Sequence, residues 1–411
     1  MSALPLSDVR VLDLTRLLPG GFCSLLLADL GAEVLKVEDT GMGDYIRWAP
    51  PYYGTDEQQA LGTRSSLYLS LNRGKRSVRL DLKSEQGREA LLRLVADYDV
   101  LLDGFRPGVL DRLGVGYERM REVNAGIVYC AITGYGQDGP YAQRAGHDMN
   151  YLGLVGLLGL TGAKDGPPVQ SAGQIADLGG GALMAAFGVM AALHERQRSG
   201  EGQMVDVSMA DGALSWLAMV AGRYFCDGEV ARRGEQQLAG GLVCYLPYEA
   251  ADGWVTCGAL EPKFWTAFCD GVQRPDLVEK QFEAPGSEAW AQVAGVFRSR
   301  TRAEWKVFND ERDCCIEPVL DLNEALDSEL VRAREMVVEL EQPELGTVRQ
   351  LGNPVKLSRT PADPTRPAPA FGEHTEEVLR EVGYSDEEIA AMKDSGAAAG
   401  PAAEPQGEFR A

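Results

Sequence analysis

Apolar runs recur through the first third of the chain, separated by segments with helical spacing. Buried strands are predicted at 9–14 (VRVLDL), 32–38, 76–82, 99–103 and 126–133. An apolar helix is predicted over 20–31 and an amphipathic one over 84–98, with its leucines on one face. Repeated strand–helix–strand units predict an α/β fold with a mostly parallel sheet, covered by helices on both faces, that binds ligands beyond the carboxyl ends of its strands.

The pattern changes in the second half of the chain. Residues 177–196 are nearly all apolar and predict a long buried helix. After residue 233 short strands are predicted at 242–248 and 254–260, followed by a helix that starts at Pro262. The predicted division is a large domain over 1–205, a linker over 206–232, a small α+β domain over 233–325, a return to the large domain over 326–390, and a disordered tail over 391–411.

Composition narrows the class of protein. The net charge of -21, from 61 acidic and 40 basic residues, argues against a nucleic-acid binder. Eight cysteines without a C-x-x-C pair and only three histidines indicate free thiols and no metal site. No signal peptide and no apolar stretch of membrane-spanning length is readable, so we expect a cytoplasmic enzyme that does not insert into membranes.

One glycine pattern invites a cofactor assignment that we reject. Residues 134–139 (GYGQDG) match G-x-G-x-x-G after a predicted strand. In a dinucleotide site the third glycine opens directly into a helix, whereas here Pro140 and further loop residues follow. The motif predicts a tight turn, and no NAD or other cofactor is expected.

Three acid/base candidates have both structural and chemical interpretations. His147 lies on a loop beyond a strand, where a histidine is either structural, solvated or catalytic. Asp177 opens the apolar helix and is either its N-cap or a reactive group; the glycines at 179–181 that follow indicate close approach of a ligand or of another backbone. Glu261 precedes Pro262 and by position is either a cap or functional. Arg106 and Arg112 either bind a phosphate or are solvated.

The order of several segments identifies a family. They include LPGGFCSLLLADLGAEVLKVE at 18–38, LNRGKRSVRLDL at 71–82, DGFRPGVLDRLGVGYE at 103–118, GHDMNY at 146–151, DLGGG at 177–181, GEGQMVDVSMADG at 200–212 and GALEPKFW at 258–265. Together they resemble the family III (CaiB/BaiF-type) CoA-transferases and, within them, the α-methylacyl-CoA racemases. The resemblance spans about residues 5–390 and implies a large Rossmann-like CoA-binding domain, a smaller α+β domain and an interlocked homodimer.

The resemblance also implies the chemistry. The racemases combine an Asp, a His in a G-H-D-x-N-Y segment and a Glu in a G-A-x-E-P segment, which here are Asp177, His147 and Glu261. It implies that His147 and Asp177 invert the α-carbon of a 2-methylacyl-CoA by proton transfer through an enolate, with Glu261 orienting His147 and the N–H of Asp148 stabilising the enolate oxygen. The implied CoA contacts are Leu80, Asp81, Leu82, Lys83, Gly104, Phe105, Arg106, Arg112, Gly146, Asp148, Met149, Asn150 and Tyr151.

Two alternatives and one departure from the family stay open. In the transferase branch, the residue matching Asp177 attacks the acyl-CoA as a nucleophile and CoA moves between carboxylic acids. A silent CoA-binding protein is suggested only by Asp39, which stands where racemases typically have an Arg that holds CoA phosphates. Lys36, Arg73, Lys75 and Arg76 are candidates to compensate for that missing charge. The acyl group is not readable from the sequence.

Overall fold

The computed structural model describes residues 4–55 and 62–402. Its strands are β1 Arg10–Asp13, β2 Glu33–Glu38, β3 Lys75–Leu80, β4 Val100–Asp103, β5 Val128–Thr133, β6 Met204–Ser208, β7 Tyr245–Ala250, β8 Gly253–Gly258, β9 Ile316–Pro318, β10 Val337–Gln342, β11 Gly346–Leu351 and β12 Ala398–Ala399. Every strand predicted from the apolar runs is present, within three residues of its predicted ends.

Helices connect these strands. They are α1 Leu18–Asp29, α2 Ser66–Asn72, α3 Glu85–Asp97, α4 Val109–Arg112, α5 Tyr117–Val123, α6 Asp148–Leu154, α7 Leu157–Leu160, α8 Met184–Ser199, α9 Met209–Ser215, α10 Ala218–Asp227, α11 Pro262–Gly271, α12 Glu288–Phe297, α13 Arg302–Arg312, α14 Leu322–Leu326, α15 Glu329–Ala333, α16 Thr375–Glu381 and α17 Asp386–Asp394. Two 3₁₀ helices, Tyr45–Trp48 and Pro275–Lys280, and a π-helix, Ile175–Leu183, complete the set.

The large sheet has seven strands in the order β12-β3-β2-β1-β4-β5-β6. All neighbours are parallel except β12, which pairs antiparallel with β3. One face packs against α3, α5, α16 and α17, and the other packs against α1 and α8. Buried side chains on both faces explain why these strands read as continuous apolar runs rather than as alternating ones. The predicted α/β class, with a mostly parallel sheet, is confirmed.

Two compact units divide the chain, at boundaries that differ from those predicted. Within the described residues, the first unit comprises 4–55, 62–155, 172–215 and 330–402, and the second comprises 156–171 and 216–329. The predicted linker at 206–232 instead contains the end of β6, α9 and α10. The second unit has a three-stranded antiparallel sheet, β7-β8-β9, with a core of its own that includes Trp265, Phe297 and Trp305.

The prediction of a disordered tail from 391 is wrong for residues 391–402. Helix α17 runs to Asp394, and β12 then pairs Ala398 with Leu80 and Ala399 with Arg79 at the edge of the large sheet. Short alanines lack apolar periodicity, so backbone pairing of this kind leaves no signal in the sequence. The last nine residues, 403–411, lie outside the described residues.

A helical segment of 25 residues, Ile175–Ser199, joins the π-helix to α8. An 18-residue stretch of this segment has a mean hydropathy of 1.6. By length and composition it is apolar enough to cross a membrane, so the expectation that no such stretch occurs is wrong. A buried core helix passes the same test, and 44% of that window is buried in the protein. The segment packs against α1, α9 and β5, and Asp177 lies in its first turn.

Buried ion pairs fix the loops that leave β1 and β2. The Asp13 carboxylate accepts hydrogen bonds from Thr15 and Ser24 and lies 3.3 Å from Nζ of Lys75. The guanidinium of Arg47 makes a two-pronged contact with Glu38, at 2.8 and 2.7 Å. Breaking such a pair leaves an uncompensated buried charge, so these loops are held in one conformation.

Candidate active site

Most of the predicted site segments lie at the carboxyl edge of the large sheet. β1 lies between β2 and β4 in the sheet, so the order of the strands reverses between β1 and β4, and a sheet of this kind is expected to bind its ligand beyond the strand ends at that point. Asp39 follows β2, Gly104–Arg106 follow β4, and the 134–147 loop follows β5. The structure therefore brings the predicted CoA segments to one edge of the first unit.

The loop after β5 is the tight turn that the sequence predicts. Gly136 and Gly139 adopt φ values of 85° and 82°, and the next helix begins only at Asp148. The N–H of Gln137 donates to Asp206 on the neighbouring strand β6, at 3.0 Å. The G-x-G-x-x-G residues thus do not open into a helix.

Tyr151 anchors the segment that carries His147. Its hydroxyl donates to the carbonyl of Gly146 at 2.6 Å, and its ring packs edge-on against Tyr135 with centroids 5.1 Å apart. Burial raises the pKa of Tyr151 well above its ordinary value, so the phenol stays protonated and remains a donor. A Cβ on Gly146 would lie 2.7 Å from the Tyr151 ring, so glycine is required there by packing.

His147 is the residue directly before α6. Its backbone N–H donates to Oδ1 of Asn150 at 3.0 Å, and its carbonyl accepts from the N–H of Asn150 and Tyr151. The residue is exposed. The backbone of His147 therefore makes hydrogen bonds at the start of α6, and the residue is exposed enough to be reached by a substrate.

Asp177 lies in the first turn of the π-helix, which has Gln174 as its N-cap. The N-cap interpretation of Asp177 is therefore wrong. The residue is half-buried, and burial raises its pKa to about 6; the charge of Asp148 adds to the shift and that of His147 opposes it. A π-helix is rare and is found most often at functional sites. Asp177 can thus exist as an acid or a carboxylate close to neutral pH.

The glycines after Asp177 serve the close approach of two backbones. A Cβ on Gly180 would lie 2.6 Å from the carbonyl oxygen of Met209, and one on Gly212 would lie 2.1 Å from the carbonyl oxygen of Gly180. The motifs DLGGG and SMADG therefore pack directly on one another. Of the two explanations offered by the sequence, another backbone is the one observed at Gly180.

Glu261 belongs to the second unit. It precedes α11 as its N-cap, and its backbone carbonyl accepts from the N–H of Phe264 and Trp265. The side chain makes no capping hydrogen bond and the residue is exposed. The cap is thus made by the backbone, and the carboxylate remains available for another role.

The predicted CoA contacts differ in exposure. Leu80 is 1% exposed, lies in the core and pairs with Ala398, so the prediction that its side chain contacts CoA does not fit its position. Asp81 accepts from the N–H of Lys83 and shapes the turn after β3. The other predicted CoA residues are distributed between exposed and partly buried positions: Lys83, Gly104, Arg106, Arg112, Met149 and Asn150 are exposed, Leu82, Phe105 and Gly146 are half-buried, and Asp148 and Tyr151 are buried.

Asp39 has a basic partner that the sequence does not reveal. Its Oδ2 lies 2.6 Å from the guanidinium of Arg16, and its Oδ1 accepts from the N–H of Gly41 and Gly43. The Arg16 guanidinium also lies over the ring of Phe105, 5.7 Å from its centroid. A cationic side chain is therefore present beside Asp39 at the carboxyl edge.

The four basic residues proposed to compensate for Asp39 are otherwise engaged. Lys36 and Lys75 are fully buried and paired with Asp44 and Asp13. Arg73 is paired with Asp29 at 2.7 Å, and Arg76 with Glu33, Glu377 and Glu381. That hypothesis is wrong, because acids elsewhere in the fold already neutralise each of these charges.

Asp103, at the end of β4, is a site residue that the sequence did not single out. It accepts from the hydroxyl of Tyr129 at 2.6 Å and from the N–H of Phe105 at 2.8 Å, and so fixes the 104–106 loop. Burial raises its pKa to about 6. An acidic residue at the carboxyl end of an apolar strand is the sequence feature that could have identified Asp103.

Among residues 4–55 and 62–402, no cluster of three His, Cys, Asp or Glu side chains is arranged to hold a metal.

Comparisons with known proteins agree with this arrangement. The family model CoA-transferase family III matches residues 6–375. The chain is 38% identical to the mouse α-methylacyl-CoA racemase, with 93% of this chain and 95% of that protein covered. It is 36% identical to the succinyl-CoA:mesaconate CoA-transferase of Haloarcula marismortui, with 92% and 96% covered. A CaiB/BaiF family protein from Brucella suis has a similar structure, with a TM-score of 0.79 at 28% identity, and 93% and 100% of the two chains covered.

Proposed function

The chain belongs to the family III CoA-transferases, and within this family we propose that it is a racemase or epimerase of 2-methylacyl-CoA thioesters. What supports the proposal is the electrostatic influence of His147 on the Asp177 carboxyl, together with the accessibility of the exposed His147. The charge of His147 acts on the Asp177 carboxyl, whose pKa of about 6 lets it serve as an acid or as a base near neutral pH. A transferase nucleophile requires the Asp and has no need of the histidine.

The proposed reaction moves one proton off the α-carbon and another proton onto it. Neutral His147 takes the α-proton from one face and becomes an imidazolium, while the electron pair of the C–H bond forms the enolate of the thioester. Protonated Asp177 returns a proton to the other face and becomes a carboxylate. For the opposite enantiomer, the roles of the two residues are exchanged, and solvent resets their protonation states.

The enolate oxygen needs a hydrogen-bond donor. Asp148 is the first residue of α6, so no carbonyl within the helix accepts from its backbone N–H. We propose that this N–H stabilises the enolate. Lys83, Arg106, Arg112 and Arg16 are the exposed or half-exposed cations proposed to bind the CoA phosphates.

We further propose a homodimer in which Glu261 orients the imidazole of His147. Large apolar side chains are exposed in both units, among them Phe187 at 73% on α8 and Met219 and Phe225 at 72% and 81% on α10. Apolar side chains exposed to this degree favour a partner surface. In the interlocked arrangement, Glu261 of the partner subunit completes the site that holds His147 and Asp177.

A CoA-transferase that uses Asp177 as its nucleophile is the second candidate. The chain is 36% identical to a transferase and 38% identical to a racemase, so sequence identity supports the transferase function almost equally. Both candidates are tested by incubating one enantiomer of a 2-methylacyl-CoA with the enzyme, with and without an isotopically labelled carboxylic acid. Inversion in the absence of the acid supports the racemase, whereas labelled acyl-CoA formed without inversion supports the transferase.

A further inference from the structure

The carboxylate of Asp148 connects the segment that carries His147 to the segment that carries Asp177. Its Oδ2 accepts from the backbone N–H of Ala176 at 2.6 Å and of Asp177 at 3.1 Å. These two N–H groups belong to the first turn of the π-helix. A side chain from α6 therefore satisfies them and fixes the backbone of Asp177.

Asp148 is buried, and its charge acts on Asp177. The residue is 2% exposed, and its second oxygen, Oδ1, is buried with no hydrogen-bond partner among the described residues. A buried acceptor without a hydrogen-bond partner carries the cost of its desolvation. The charge of Asp148 raises the pKa of Asp177 and is second only to burial as a cause.

Several other ionisable groups lie on the elements that pack against the π-helix. The π-helix packs against α1, α6, α8, α9, β5 and β6. The ionisable side chains on these elements are Cys23 and Asp29 on α1, Asp148 and Tyr151 on α6, His194, Glu195, Arg196 and Arg198 on α8, Asp211 on α9, Tyr129 and Cys130 on β5, and Asp206 on β6, with His147 directly before α6. Asp148 and His147 are the two whose charges shift the pKa of Asp177, in opposite directions.

We infer that Asp148 is a positioning residue for Asp177: it anchors the start of the π-helix through two N–H groups and holds a buried carboxylate close to Asp177. In the proposed reaction, burial and this charge together keep a proton on Asp177 at a pH where an ordinary aspartate has lost it. The inference rests on the proposed function for its catalytic meaning, although the effect on Asp177 is measurable without any activity.

Asp148→Asn separates the anchor from the charge. The amide oxygen of Asn can accept from both N–H groups, and its NH₂ takes the place of the oxygen that has no partner, so the two anchoring hydrogen bonds are retained while the charge is lost. Removing the negative charge lowers the pKa of Asp177 from its value of about 6, because one of the two causes that raise it is gone while burial remains. Asp148→Ala removes anchor and charge together, and is expected to lower kcat further while producing a similar shift in pKa.

The measurement is the titration of Asp177 by NMR in full-length protein labelled with ¹³C-aspartate, with the signal assigned from Asp177→Asn. Asp206→Asn is the matched control, because Asp206 also accepts a backbone N–H from the loop after β5 and does not shift Asp177. A lower pKa of Asp177 in Asp148→Asn, and an unchanged one in Asp206→Asn, is the expected result. An unchanged pKa in Asp148→Asn overturns the inference.

The kinetic pH profile then separates this inference from the proposed function. If the chain is a racemase, the profile of kcat/KM for α-proton exchange moves to lower pH in Asp148→Asn. If wild type shows no exchange while Asp177 still titrates lower in Asp148→Asn, the proposed function fails and the inference stands. If wild type exchanges the α-proton normally but the pKa of Asp177 is unchanged in Asp148→Asn, the inference fails and the proposed function stands.

Discussion

The Asp148 carboxylate accepts the backbone N–H of Asp177 at 3.1 Å, so the residue directly after His147 fixes Asp177. The two candidate bases lie 30 positions apart in the sequence: His147 directly precedes α6, and Asp177 lies in the π-helix. One buried side chain therefore joins the two segments that carry them. This relationship underlies the assignment of both residues to one reaction.

Replacing Asp177 by Asn is expected to change how stability depends on pH. The pKa of Asp177 is about 6 in the folded protein, against an ordinary 3.8. Since the folded state binds this proton more tightly than the unfolded chain, ionisation of Asp177 lowers stability as the pH rises from about 4 to about 6. The melting temperature of Asp177→Asn, relative to wild type, should therefore be higher above about pH 7 than below about pH 4. A difference that is constant across this range contradicts the raised pKa.

Neutralising Asp39 is expected to improve CoA binding. Asp39→Asn keeps an Oδ1 that accepts from Gly41 and Gly43, and releases Arg16 from its ion pair. Because an exposed pair of this kind is worth about 0.2–1 kcal/mol, KM for the acyl-CoA should fall by roughly 1.5- to 5-fold with kcat unchanged. Arg16→Ala should raise KM, and both effects should weaken at high salt. An equal KM in all three proteins would place CoA away from this pair.

The backbone contact between DLGGG and SMADG predicts a strong steric effect. A Cβ added in Gly212→Ala would lie 2.1 Å from the carbonyl oxygen of Gly180, so the variant should lose at least about 1–3 kcal/mol of unfolding free energy in urea, with loss of activity. Gly295→Ala on α12 is the control, since a Cβ there meets nothing within 4 Å and should stabilise by up to about 1 kcal/mol. Equal stability of the two variants contradicts the close packing.

Subunit complementation tests the proposed dimer and the role of Glu261. Asp177→Asn and Glu261→Gln are each expected to be nearly inactive as pure proteins, whereas Glu279→Gln, another exposed glutamate of the second unit, retains activity. If Glu261 reaches the partner's site, mixed dimers contain one intact site, and co-expression restores about a quarter of wild-type activity after random assembly. Co-expressed protein that stays inactive contradicts a shared site.

Much of the large sheet could be predicted from sequence, because strands buried on both faces leave continuous apolar runs such as VRVLDL at β1. The β12 pairing at Ala398 could not, since two alanines at a sheet edge carry no periodic signal. The unit boundaries were also missed: residues 156–171 fold with the second unit although they follow the His147 loop directly in sequence.

The candidate site divides in a similar way. Residue types with evident acid/base chemistry, His147, Asp177 and Glu261, were visible as members of ordered motifs. The contact of the Asp148 carboxylate with the N–H groups of Ala176 and Asp177 and the Arg16–Asp39 pair were not, because both join segments that are separated in sequence. Three successive glycines allowed close approach of either a ligand or another backbone. The distance from Gly180 to the backbone of Met209 was needed to choose the second explanation.

The central claim is that His147 and Asp177 exchange the α-proton of a thioester, and incubation of a chiral 2-methylacyl-CoA in D₂O without an acceptor acid tests it most directly. Wild type should incorporate deuterium at the α-carbon with inversion. His147→Ala should lose roughly 10²–10⁴-fold of this rate, whereas His194→Ala, which alters an exposed histidine on α8, should retain it. No deuterium uptake by wild type, together with transfer of CoA to an added carboxylic acid, would contradict the racemase account.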